Sequence, residues 1–177
     1  MAVHLFGAID VGSYVYEMKI FELSKKNGIR QIDSIRHMVD IGTDTYHTGK
    51  VSRAHLAELK RILTESAEIM KNYGVEAYRA YGTSAFREMR NSNMILAQIE
   101  QETGIHIDIL ENTEQRFMDY KSVASKGEVF TRFLEQSTAI VDIGGGSIQI
   151  SLFEKDKLSA TQNMRLGVLR LREQLDR

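Results

Sequence analysis

The feature that most constrains this chain is a short pattern that occurs twice, once near each end. Each copy contains an apolar segment, an aspartate, glycine, a serine and a second apolar segment: AIDVGSYVYEMKIFEL begins at Ala8, and AIVDIGGGSIQISLFE begins at Ala139. An apolar run that stops at a glycine turn predicts a buried strand followed by a hairpin. Two hairpins of the same form predict that the chain begins a second lobe after completing a first.

The two turns carry residue types that suit phosphate and a hard cation. An aspartate directly before a tight glycine turn can hold Mg²⁺ directly or through water, and the N–H groups of the turn can face a phosphate. One such turn alone can equally be an ordinary hairpin in which the aspartate makes a local turn bond. Because the pattern is repeated, we expect two facing hairpins that clamp a phosphate chain and its metal between two lobes.

The rest of the chain predicts an α/β fold with a mixed sheet in the order β-β-β-α-β-α-β-α. Apolar alternation and turn residues predict strands at 6–11, 14–23, 29–39, 75–81, 105–110, 138–143 and 148–153, with another possible strand after a turn at 154–157. Helical periodicity predicts helices from Ser52 to Gly74, from Gly82 to Gly104, from Thr113 to Ala124 and from Val168 to the chain end. No element is predicted for the glycine-bearing stretch 42–49.

The main domain boundary is predicted in the poorly patterned connection 127–136. A first domain then covers residues 1–130, and residues 131–177 form the start of a second, truncated one. A partial second sheet would leave strand edges exposed, and exposed edges favour pairing with another chain. We therefore expect a fragment of a longer protein that forms a homodimer.

Composition narrows the functional classes. The 177 residues include no cysteine, which excludes disulfides and thiolate chemistry. A net charge of −1 gives no global field that would attract nucleic acid or an acidic membrane. No apolar run approaches the roughly 18 residues that span a bilayer, and the N-terminus lacks a signal-peptide pattern. We expect a cytoplasmic protein without a nucleic-acid or membrane partner.

Four segments, in order along the chain, resemble the Ppx/GppA phosphatases of the actin-like superfamily. DIGTDTYHTGKVS (40–52) resembles the family's LGEGL…GxLS stretch, and YGTSAFREMRN (81–91) is similar to ATSALREARN. DIGGGS (142–147) is identical to the second phosphate loop of the family, and RLGVLRLRE (165–173) resembles LGAVRLTE. The resemblance implies an actin-like (ribonuclease H-like) domain followed by the beginning of a second one.

The same resemblance implies an exopolyphosphatase-like enzyme that uses Mg²⁺ to release phosphate from polyphosphate or guanosine pentaphosphate. It assigns Asp10 and Asp142 to the metal. It also implies that Arg87 is a catalytic residue that binds phosphate, for which a guanidinium is suited. The phosphate-binding residues that it implies are Gly12, Ser13, Gly144, Gly145, Gly146 and Ser147.

The chain departs from the family pattern where the family places its general base. The family reads ISGxEEAR and uses the second glutamate to activate water, whereas this chain reads ILENTEQR. Gln115 occupies the catalytic position, and Glu114 keeps the first glutamate. An amide can orient water but cannot take a proton from it at neutral pH. Glu114, or a residue beyond this chain, would have to supply the base.

Smaller departures affect both turns. Tyr14 and Val15 replace two small polar residues of the first loop, and Ile148 and Gln149 replace a hydroxyl and a carboxylate of the second. Three functions therefore remain open: a phosphohydrolase, a phosphate- or nucleotide-binding regulatory module with weak or no catalysis, and an actin-like kinase or ATPase. The ATSALRE-like stretch argues against the last.

Overall fold

The computed structural model describes residues 2–125, 127, 136–155 and 157–175. It contains two compact units, Met1–Ile109 and Leu110–Arg177. A five-stranded mixed sheet with helices between its strands confirms the predicted fold class. The predicted boundary between residues 130 and 131, and most of the predicted connection 127–136, lie outside the described residues.

The first unit is built on a sheet with the strand order β3-β2-β1-β4-β5. Its strands are β1 (Val3–Val11), β2 (Val15–Ser24), β3 (Gly28–Met38), β4 (Ala77–Gly82) and β5 (Asp108–Ile109). The first three strands pair antiparallel, and β4 lies parallel to both β1 and β5. Its helices are α1 (Ile41–Thr48), α2 (Arg53–Tyr73), α3 (Ser84–Glu88) and α4 (Ser92–Thr103).

The long helix α2 follows its sequence signals closely. Ser52 caps its start by accepting the N–H of His55 at 3.2 Å, and Gly74 ends it in the left-handed region with φ 72°. Its apolar face is buried in the same core as the inner residues of β1 and β2. Within this core the Tyr16 hydroxyl donates to Ser66 Oγ at 2.6 Å, and burial raises the pKa of Tyr16 to about 12. The helix thereby fixes the sheet at the end where the first glycine turn lies.

Secondary structure differs from the prediction in the four segments that follow. The stretch 42–49 contains the helix α1, and the single helix expected from 82 to 104 is two helices. The break occurs where buried Met89 is extended and the next N–H, of Arg90, bonds to the carbonyl of Gly49 at 3.0 Å. The strand expected at 105–110 has only two residues in strand conformation, and the helix expected to begin at Thr113 is capped at Glu111.

The second unit contains a three-stranded antiparallel sheet with the order β6-β7-β8. Its elements are α5 (Asn112–Ala124), β6 (Thr138–Ile143), β7 (Ile148–Glu154), β8 (Lys157–Met164) and α6 (Val168–Leu175). Helix α5 lies against β7, because Tyr120 donates to Ser151 Oγ at 2.6 Å and meets the ring of Phe153 edge-on. The other face of the sheet exposes apolar side chains, including Val141, Ile143 and Leu152.

No helix within the described ranges has both the length and the apolar character needed to cross a membrane. The cytoplasmic location stays a prediction.

Candidate functional site

The two glycine turns are closed by equivalent backbone hydrogen bonds. In the first unit, the N–H of Gly12 donates to the carbonyl of Val15 at 2.9 Å. In the second unit, the N–H of Gly144 donates to the carbonyl of Ser147, also at 2.9 Å. In both cases the donor is the second residue after the aspartate and the acceptor is three residues further on. The sequence repeat therefore corresponds to a structural repeat.

Strand pairing gives each aspartate an equivalent neighbour. Asp10 lies opposite Glu17 in the pair β1–β2, and Asp142 lies opposite Gln149 in the pair β6–β7. Each partner is the seventh residue after its aspartate. A side chain opposite on the same face of an antiparallel pair lies close to its partner. The first hairpin thus places two carboxylates side by side, whereas the second places one carboxylate beside an amide.

The first turn is held tightly against the helices of its own unit. A Cβ atom on Gly12 would lie 2.7 Å from the carbonyl of Val15, so glycine is required for the turn to close. Ser13 is buried, and its carbonyl accepts the N–H of Gly42 at 2.8 Å. Asp10, at the end of β1, is exposed. The turn is therefore rigid, with its aspartate accessible to a ligand.

The second turn is held by the start of α6. The carbonyl oxygens of its three glycines accept bonds of 2.9 to 3.0 Å from the N–H groups of Val168 and Leu169 and from Nε of Arg170. The N–H groups of the second and third glycine have no hydrogen-bond partner among the described residues. Because its carbonyls are occupied and two of its N–H groups are not, the turn offers hydrogen-bond donors to an anion.

Gly167 makes this attachment possible. A Cβ atom at this position would overlap the carbonyl of Gly145 and the N–H of Gly146. The sequence identifies the segment RLGVLRLRE only by its family resemblance and predicts no role for any residue in it. The structure gives it one: Gly167 allows α6 to approach the turn, and Arg170 binds it.

Asp142 is paired with the residue that occupies the general-base position. The side-chain amide of Gln115 donates from Nε2 to Oδ2 of Asp142 at 3.2 Å. Asp142 is half-buried, and burial raises the pKa of its carboxyl group, an effect that the bond from Gln115 only partly offsets. Gln115 therefore stabilises a carboxylate as a donor, which is the opposite of the acceptor role that a general base performs.

Glu114 is engaged at the start of α5. Its Oε2 accepts the backbone N–H of Glu111 at 3.0 Å and completes a capping box. The side chain is exposed. Arg87 lies in the last turn of α3 in the first unit and is half-buried. The catalytic roles of Glu114, Gln115 and Arg87 stay predictions.

A row of polar side chains crosses the second sheet beside its turn. The pairing places Asp142, Gln149 and Asn163 next to one another on β6, β7 and β8. Gln149 is only 3% exposed, yet neither atom of its amide has a hydrogen-bond partner among the described residues. Oδ1 of Asn163 is also buried without a partner in that part of the chain. Sequence reasoning did not identify Asn163, because its place depends on the pairing of β8.

Replacement of Gln149 by methionine is expected to stabilise the protein. Methionine has nearly the same shape, and an unsatisfied buried polar group costs about 1 to 3 kcal/mol. We expect the free energy of unfolding, measured by urea titration, to rise by about that amount. Gln162→Met on the exposed part of β8 is the matched control, and it should change stability little. A loss of stability in Gln149→Met would show that the amide is satisfied in solution.

The fold and the paired glycine turns define the class of this protein, an α/β protein with the actin-like fold. The crystal structure of an exopolyphosphatase-like protein matches it with a TM-score of 0.83 at 20% identity, over 98% of this chain and 54% of that one. The Aquifex aeolicus member of the Ppx/GppA family matches with a TM-score of 0.74 at 22% identity, over 97% and 54%.

The family itself follows from the sequence comparison. The model of the Ppx/GppA phosphatase family matches residues 20–175, and the chain belongs to this family. Exopolyphosphatase 1 of Mycobacterium leprae is 24% identical over 170 residues, which cover 93% of this chain and 48% of that protein. The guanosine-5'-triphosphate,3'-diphosphate pyrophosphatase of Aliivibrio fischeri is 26% identical over 164 residues, 92% of this chain and 32% of that protein. The predicted resemblance is confirmed, and the chain spans about half or less of these relatives.

Proposed function

We propose that this chain is the phosphate-binding part of a phosphohydrolase that releases phosphate from inorganic polyphosphate or guanosine pentaphosphate by attack of water. The observation that carries the proposal is the second turn, which has its glycine carbonyls bound to α6 and two N–H groups without a partner in the described part of the chain. The names of the relatives support the substrate class, since they are an exopolyphosphatase and a pyrophosphatase of guanosine pentaphosphate.

The donors around Asp142 fit a magnesium ion that is bound together with phosphate. Mg²⁺ in phosphate sites usually takes one or two carboxylates and completes its shell with phosphate oxygens and water. Within the described ranges no group of three or more His, Cys, Asp or Glu side chains gathers, so no all-protein cage forms there. Asp142 supplies one carboxylate, and a nearby cation would offset the cost of burying its charge. The ion would neutralise phosphate charge and polarise the bond that breaks.

The other residues that the family resemblance implies are proposed for phosphate or metal, each within its own unit. Gly145 and Gly146 would offer N–H groups to phosphate, and Ser147 would add its hydroxyl. Asp10 would hold metal at the first turn, where Gly12 and Ser13 would contact phosphate. The guanidinium of Arg87 would bind phosphate oxygens in a bidentate manner.

Gln115 favours a second candidate function, a regulatory module that binds phosphate or a nucleotide and hydrolyses it weakly. Its amide donates to Asp142, and the neighbouring carboxylate of Glu114 is bound at the helix start. An amide cannot take a proton from water, and the cap bond engages the carboxylate of Glu114, so both contacts support weak hydrolysis. We therefore expect binding to be measurable and turnover to be slow.

Binding of tripolyphosphate in the presence of Mg²⁺ tests the proposal. Calorimetry should detect binding that weakens at least about tenfold in Asp142→Asn, because the metal loses its carboxylate and a charged hydrogen-bond or metal contact is worth about 1.5 kcal/mol or more. Glu154→Gln is the control, since it removes one charge from the exposed far end of β7. Phosphate release by the same samples separates the two candidates.

Binding with release above the protein-free rate supports the hydrolase, and binding with no such release supports the regulatory module. A chain that neither binds nor hydrolyses tripolyphosphate or guanosine pentaphosphate would contradict both. The homodimer, expected from the exposed strand edges of a partial second sheet, stays a prediction of the sequence.

A further inference from the structure

Three hydroxyl groups form a closed ring at the first glycine turn. Oγ of Ser13 lies 2.6 Å from the hydroxyl oxygen of Tyr46 and 2.8 Å from Oγ of Ser84, and the latter two oxygens are 2.7 Å apart. The side chains come from the turn, from α1 and from the first residue of α3. Each hydroxyl donates one hydrogen and can accept two, so three hydrogens can serve the three contacts.

The ring is not needed to fix the backbone of the turn. The carbonyl of Ser13 accepts the N–H of Gly42 at 2.8 Å, and the carbonyl of Tyr14 accepts the N–H of Val39 at 3.0 Å. These bonds already join the turn to the start of α1. What the ring adds is a defined direction for the hydroxyl hydrogen of Ser13, which is buried and can otherwise rotate.

We propose that Tyr46, together with Ser84, is a positioning residue that directs the Ser13 hydroxyl to donate to a phosphate oxygen. This inference rests on the proposed function, in which Ser13 contacts phosphate. When Ser13 gives its hydrogen to phosphate, two hydrogens remain for the three contacts of the ring. Tyr46 and Ser84 then donate towards Ser13, either directly or in series. A hydroxyl that accepts hydrogen bonds is polarised and becomes a stronger donor.

Removal of the Tyr46 hydroxyl tests this inference. We expect Tyr46→Phe to weaken the binding of tripolyphosphate, in the presence of Mg²⁺, by about three- to tenfold, the usual net effect of one hydrogen bond. Ser84→Ala should weaken it to a similar extent. Tyr73→Phe is the matched control, because it removes a tyrosine hydroxyl that donates to Asp33 on the surface. Its affinity should equal that of the unaltered chain.

A double-variant cycle shows whether Tyr46 acts through Ser13. If it does, Tyr46→Phe should cause no further loss in a chain that already carries Ser13→Ala. The ultraviolet difference spectrum of tyrosine provides a second readout, since ligand binding changes the hydrogen bonds of the Tyr46 phenol. The spectral change should be present in Tyr73→Phe and absent in Tyr46→Phe.

Each contrary result has a distinct meaning. Unchanged affinity in Tyr46→Phe, or a loss that persists in the Ser13→Ala background, overturns the positioning role while leaving the proposed function in place. Absence of tripolyphosphate binding by the unaltered chain overturns the proposed function and this inference with it. Urea unfolding of each variant shows whether a lost affinity comes from a lost fold, and Ser84→Ala then replaces Tyr46→Phe in the cycle.

Discussion

Replacement of Gln115 by glutamate is expected to raise the rate of phosphate release by about 10²- to 10⁴-fold, the usual contribution of a general base. The change keeps the length of the side chain and exchanges an amide that donates to Asp142 at 3.2 Å for a carboxylate that can accept a proton from water. Two neighbouring carboxylates repel each other, which raises the pKa of the pair and brings it closer to neutral pH. Bound Mg²⁺ would reduce this repulsion, so the gain should depend on the metal.

Phosphate release from tripolyphosphate at saturating Mg²⁺ is the measurement. Gln162→Glu makes the same chemical change at an exposed position on β8 and should leave the rate unaltered. Glu114→Gln, in the unaltered background, should also have little effect on the rate if its carboxylate serves only to cap α5. A rate that stays unchanged in Gln115→Glu, while ligand binding is retained, would show that residue 115 does not limit catalysis in this chain.

Local sequence signals are sufficient to predict the helices and strands whose caps and turns lie within a few residues of their ends. Ser52 and Gly74 mark the two ends of α2, and the structure uses both. The strand β6 ends at Ile143, directly before the glycines, as its apolar run predicted. In these cases the signal and the bond that it produces lie within a few residues of each other, so no tertiary information is needed.

Elements that depend on distant contacts were not predictable in this way. Helix α1 has eight residues and little apolar periodicity, and its buried residues include a glycine and a threonine. It is bound instead to the first turn, through the N–H of Gly42 and the hydroxyl of Tyr46. The break between α3 and α4 similarly depends on the bond from Arg90 to Gly49. Tertiary contacts overrode helical propensity at both places.

Dependence on distant contacts also explains which residues of the candidate site the sequence does not predict. Family motifs identified Asp142 and the position of Gln115, and the structure joins the two. The polar row that includes Asn163 depends on the register of β8, for which the sequence predicts only a possible strand. The capping role of Glu114 depends on a helix that begins at Glu111. Motifs identify residues by type, whereas these roles arise from pairing and from helix ends.

Replacement of Gly167 by alanine is expected to destabilise the protein by about 3 kcal/mol and to abolish the binding of tripolyphosphate. The added Cβ atom would overlap backbone atoms of Gly145 and Gly146, which cannot move aside as a flexible side chain would. Either α6 or the turn must shift, and overpacking of this kind costs about 1 to 3 kcal/mol before any bond is lost. The shift would also break the bonds that α6 donates to the glycine carbonyls.

Gly144→Ala is the matched control for Gly167→Ala, because a Cβ atom at residue 144 would have only an ordinary contact, 3.5 Å from the carbonyl of Ser147. Its free energy of unfolding in urea should stay within about 1 kcal/mol of the unaltered value. Equal stability losses in the two variants would contradict the attachment of the turn by α6. Retained tripolyphosphate binding in a folded Gly167→Ala chain would contradict a phosphate site at the second turn, since the overlap requires that turn, or the helix that holds it, to change position.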